Sequence, residues 1–145
     1  MKHTFAGALL LGIGIIGMID GIVFHQILQW HSTYMHTGRF FQIVSDGFFH
    51  ALVTVIVFAG AVVLWKSDPE DETGTNRTFI SGFLLGAGLF NFIEGIVDHH
   101  LLQIHHVKPG EHQFHYDLAF DLAGLLLIVL GLAAREWRVK PKGTA

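Results

Sequence analysis

The chain has no cysteine, which excludes disulfides, cysteine zinc fingers, iron–sulfur clusters and thiol catalysis. Charge is scarce as well. Asp, Glu, Lys and Arg make up 14% of the 145 residues, and nine basic against twelve acidic side chains leave a net charge of −3. So few basic clusters exclude nucleic acid as an expected partner. Disorder is excluded by the composition, because 51% of the residues are hydrophobic. What the chain has in excess is histidine, eleven residues in all. Mean hydropathy is +0.48, high for a water-soluble domain. Four membrane spans at roughly 20 residues each need about 80 residues, most of this length.

Four apolar segments lie at about 5–30, 43–65, 79–104 and 114–134. Thr4 to Ile19, Gly47 to Trp65 and Thr78 to Ile93 contain no Asp, Glu, Lys or Arg. The segments are apolar nearly all round, which suits lipid better than a soluble bundle. The first has Lys2 ahead of it but no small-residue cleavage pattern after it, so it is expected to be retained as a helix. Seven basic residues (Lys2, Lys66, Arg77, Arg135, Arg138, Lys140, Lys142) fall on the side of the termini, against Arg39 and Lys108 opposite. Positive charge stays inside, so both termini are expected in the cytoplasm of a multi-pass inner (plasma) membrane protein. The histidine-rich loops then face outside. Residues 66–77, with Pro69 and Gly74, read as an acidic linker, and 135–145 as a basic tail.

Residues 20–31, DGIVFHQILQWH, match residues 94–105, EGIVDHHLLQIH, at seven of twelve positions. Gly12, Gly14 and Ile19 match Gly86, Gly88 and Ile93 at the same offset, and Asp46 and His50 align with Asp117 and Asp121. The expected fold is therefore all-α, a single transmembrane domain over 1–145. It is a four-helix bundle of two parallel helical-hairpin repeats, about 5–65 and 78–134, with the functional site between them. The glycines of the first and third helices are expected to allow close helix approach. Gln29 and Gln103 repeat too, and are read as interhelical hydrogen-bonding or ligand-orienting groups. The aromatics near the span ends, Trp30, Tyr34, Trp65, Tyr116 and Trp137, read as an interfacial belt.

Each copy carries an acid followed by Gly, a histidine five residues on, and another six further: Asp20, His25, His31 and Glu94, His99, His105. The second helix of each copy opens with an i, i+4 pair, Asp46 with His50 and Asp117 with Asp121, on one helix face. A charged side chain at the bilayer centre costs roughly 2.5–3.5 kcal/mol on insertion scales. No Lys or Arg inside the spans offsets it. Shared protons, histidine partners or a bound cation remain, and a cation neutralises several carboxylates at once. The candidate metal ligands are Asp20, His25, His31, Asp46, His50, Glu94, His99, His100, His105, Asp117 and Asp121. His36, His106, His112 and His115 lie in or beside loops, where a histidine is ordinarily solvated or capping, and His3 is remote. On a regular helix Asp20 and His25 point about 140° apart. A π-distortion at Gly21 and Gly95 would bring acid and histidine onto one face.

The motifs IDGIVFHQILQWH, SDGFFH, NFIEGIVDHHLLQIHHV and FDLAF resemble a family of small bacterial four-span membrane proteins described as a domain of unknown function. The resemblance runs from about Gly12 to Gly131 and implies a helical membrane protein with no established activity. The residues themselves point to a membrane metalloprotein holding one or two transition-metal ions (iron, copper, zinc or manganese) between the repeats near the outer face. A redox-active ion would make it an oxidoreductase. Three other readings stand beside it: metal-ion or proton transport, a b-type haem protein, and an accessory subunit of a larger membrane complex. Partners are the lipid bilayer, the metal ion and either a second copy or a larger complex.

Overall fold

The computed structural model describes residues 2–67 and 72–136. Residues 68–71 of the expected linker and 137–145 of the expected tail lie outside them, as does Trp137 of the belt. The described chain is helical, with no strand. In order, it forms α1 (Lys2–Asp20), π1 (Gly21–Ile27), α2 (Arg39–Trp65), α3 (Glu72–Glu94), π2 (Gly95–Leu101) and α4 (Gln113–Glu136). Four helical segments are long and apolar enough to cross a membrane: Lys2–Ile27, Arg39–Trp65, Thr75–Leu101 and Gln113–Glu136. Helix α3 starts inside the segment read as a linker. Its first turns, from Glu72, are polar and lengthen the helix ahead of its apolar stretch.

Glycine sets the packing. A Cβ on Gly12 would run into the Phe83 carbonyl and one on Gly86 into the Leu9 carbonyl, while Gly82 lies against Phe5 and Ala8. The contact numbers rise together, so α1 and α3 run parallel, backbone against backbone, as small residues permit in lipid. Gly7 meets Leu64 and Gly60, and Gly14 meets Val57, so α2 runs antiparallel on α1. Gly88 meets Gly124 and Ile128, and Gly131 meets Leu85, so α4 runs antiparallel on α3. Among the described elements α2 and α4 do not touch. The bundle therefore has a central pair, α1 and α3, with one flanking helix on each.

Burial follows that order. Within the most apolar stretch of each helix, 44% of α3 but only 11% of α2 is buried. Phe48, Val55 and Phe58 of α2 point outward, which in water would be an aggregation hazard and in lipid is the solvated state. Because α1 and α3 are parallel, π1 and π2 lie side by side at one end. The buried acids and histidines gather there.

Candidate metal centre

The expected distortion is present, as a full π-helical segment in each half. Both segments follow an acid and start at a glycine. With i→i+5 bonding, a residue five places on returns to the same face. His25 Nε2 accordingly faces Asp20 Oδ2 at 3.1 Å. The glycines admit groups from the flanking helices: the His50 ring sits where a Gly21 side chain would be, and the Asp121 carboxylate where a Gly95 side chain would be.

A tight reversal ends each π segment. Leu28 N–H donates to Val23 O and Trp30 N–H to Phe24 O, at 2.8 and 2.9 Å; Leu102 and Ile104 repeat this on Val97 and Asp98. Such a reversal needs a left-handed residue, and Gln29 (φ 50°) and Gln103 (φ 49°) supply it. The two glutamines therefore act through their backbones, and their side chains are exposed rather than buried between helices as expected. The reversal throws His31 and His105, two residues on, back over the acids.

Two trios result. Asp20, His25 and His31 each offer one ligand atom, all within 4.8 Å of one another, and Glu94, His99 and His105 do the same. Each trio is two imidazoles and one carboxylate, the donor set of a facial triad. The trios adjoin. The His31 and His105 rings stack with centroids 4.6 Å apart and 8° between planes, and the His25 and His99 rings lie 4.6 Å from His31 and 4.9 Å from His105 respectively.

The outer sides of these rings are held by the opposite half. His31 Nδ1 donates to the Val107 carbonyl at 2.8 Å and His105 Nδ1 to the Thr33 carbonyl at 3.2 Å. Thr33 N–H in turn donates to Asp46 Oδ1 at 2.7 Å, and Val107 N–H to Asp117 Oδ1 at 2.9 Å. Each loop thus anchors to its own following helix and grips the histidine of the other half. Burial holds the His31 imidazolium below its ordinary pKa despite the opposing pull of Asp20. Burial, followed by the charge of His31, pushes His105 down to about 3. Both rings are neutral at neutral pH, with the proton on Nδ1 and the Nε2 lone pair turned inward. That is the ligating tautomer.

Of the eleven buried side-chain N and O atoms lacking a hydrogen-bond partner among the described residues, eight belong to the six trio residues. The other candidates stand around them. Asp46 Oδ1 faces His25 Nδ1 at 3.0 Å, and Asp117 Oδ1 faces His99 Nδ1 at 3.7 Å, each a carboxylate behind a histidine. His50 Nδ1 donates to the Asp46 carbonyl at 2.9 Å. His100 Nε2 pairs with Asp121 Oδ2 at 2.8 Å, away from the trio. His106, weighed as a loop residue, instead holds Asp117 Oδ2 through Nδ1 at 2.7 Å. His36 Nε2 donates to the Gln103 carbonyl at 2.7 Å on the surface. The rings of His112 and His115 pack on one another outside the cluster. Thr33 and Val107 carry no sequence signal, since they act largely through main-chain atoms.

Fold and site define a class: a four-span helical membrane protein with carboxylate–histidine clusters buried between its two central helices. Residues 6–137 match the family model described as "Predicted membrane protein (DUF2243)", and the chain belongs to that family. Searches of curated proteins and of solved structures gave no match.

Proposed function

We propose that this protein is a plasma-membrane metalloprotein that binds two transition-metal ions, one in each trio, at the interface of two duplicated hairpins on the outer side of the membrane. The unpartnered inward atoms carry this reading. A buried polar atom without a partner costs about 1–3 kcal/mol. The Nδ1 atoms of His25 and His99 face Asp46 and Asp117, which leaves six such atoms, one on each trio residue, in two His₂-carboxylate sets. A divalent ion at each set satisfies them and neutralises Asp20 and Glu94. Carboxylates Asp46 and Asp117 orient His25 and His99 from behind, as outer carboxylates do at histidine metal sites. The reciprocal grip of Thr33 and Val107 on His105 and His31 supports the duplication.

Two adjacent N/O triads suit iron or manganese best, copper(II) and zinc less well, and favour an oxidoreductase. A haem between facing histidines is disfavoured, because the His31 and His105 rings stack directly on each other. Elemental analysis and an absorption spectrum of the purified protein test the reading. It expects about two equivalents of iron or manganese per chain and no Soret band. Metal-free protein from cells replete in both metals would refute it.

A further inference from the structure

Where α1 and α4 fail to meet, a cleft of about 490 Å³ remains between them, within the size range of small-molecule sites. Its mouth is formed by residues that face lipid, Ile19 and Ala123 among them. Its walls include aromatic rings. Phe24 and Trp30 stack with centroids 5.4 Å apart, and Tyr116 meets Trp30 edge-on at 5.6 Å. Lys108 Nζ lies over Trp30 at 4.9 Å and over Tyr116 at 5.1 Å, pinning both rings at the outer end.

Apart from the polar tips of Trp30 and Tyr116, the polar side chains of a largely apolar lining are Asn91 and Asp20. Asn91 is 7% exposed and its Oδ1 has no hydrogen-bond partner. An acyl chain in the cleft would leave that acceptor unpaired, and a carboxylate ligand would add negative charge beside Asp20. A hydroxyl donates to Asn91, and an aromatic ring behind it matches the ring walls.

We propose that this cleft binds a lipid-soluble aromatic alcohol, of phenol or quinol class, entering from the membrane and donating its hydroxyl to Asn91 Oδ1. Asp20 forms both the inner wall of the cleft and one arm of the first trio. Binding stands on the cleft alone; that the bound alcohol is a substrate rests on the metal-centre reading.

The test uses the full chain in detergent, titrated calorimetrically with 4-octylphenol and with 4-octylanisole, its methyl ether, while metal content is measured on the same samples. The parent is expected to bind one phenol per chain and to bind the ether at least about tenfold more weakly. Asn91→Leu should erase that preference. Ala123→Phe, which changes an exposed residue at the mouth, should abolish binding of both with metal content unchanged. Equal affinity of the parent for phenol and ether overturns the proposal without any variant, and so does undiminished binding by Ala123→Phe. Selective phenol binding by protein that carries no metal would uphold the cleft and refute the metal centre; metal-loaded protein that binds no phenol would refute the cleft alone.

Discussion

Protonation at single residues follows from burial. His105 is neutral because an imidazolium loses hydration inside the protein, and its pKa of about 3 lies below the ordinary 6.5. The unfolded chain therefore binds the extra proton first. The contribution of His105 to the stability of the metal-free protein is complete above about pH 6.5, falls as pH drops toward 3, and levels off below. Replacing His105 by Phe should flatten that part of the profile, as read by thermal unfolding in detergent across the range. An unchanged slope would mean His105 is not the titrating group. The acid–histidine motifs were legible in the sequence as a set, because charges inside apolar spans need partners. Which of them are innermost was not. Asp46, Asp117 and Asp121 look equivalent to Asp20 along the chain, yet they sit behind or beside the trios through contacts with His25, His99 and His100. Asp121→Asn should therefore reduce metal content less than Glu94→Gln, by elemental analysis of the two variants side by side.

At the scale of elements, the π segments decide the site. The five-residue spacing of acid and histidine signalled them, and the glycines after the acids located their start. The reversal through Gln29 and Gln103 was not legible, because glutamine is no usual left-handed residue and the repeated pair resembles a side-chain motif. The glycine at each π start gives a sharp contrast. A methyl on Gly95 would overlap the Asp121 carboxylate, whereas one on Gly47 in α2 would meet nothing within 4 Å. Gly95→Ala should cost about 1–3 kcal/mol, as overpacking does. Gly47→Ala should be neutral or stabilising by up to about 1 kcal/mol, from helix propensity. Denaturation midpoints of the purified variants check both. Equal effects would show that the close approach at π2 carries no energetic weight.

Across the whole molecule, spans and parallel packing of α1 on α3 were readable from hydropathy and glycine placement. That the bundle has a central pair, leaving a cleft between α1 and α4, was not, because it depends on which faces of α2 and α4 remain for lipid. Orientation rests on seven basic residues against two. Gly38 is exposed with open space around its Cβ position, and Lys66 is exposed at the other end. In intact cells Gly38→Cys should react with an impermeant thiol reagent and Lys66→Cys should not; the reverse would place the histidines inside. Ser32, though in the same loop as Gly38, is 1% exposed and would report burial instead of sidedness. The central claim is that the trios form one two-ion centre, and a mutant cycle tests it most directly. Metal per chain should be about two in the parent, and His25→Ala and His99→Ala should each lose most of both ions, with the double variant little worse than either, as for residues acting as a unit. Losses of one ion each that add in the double variant would contradict a shared centre, and full occupancy in all three would remove the metal from the account.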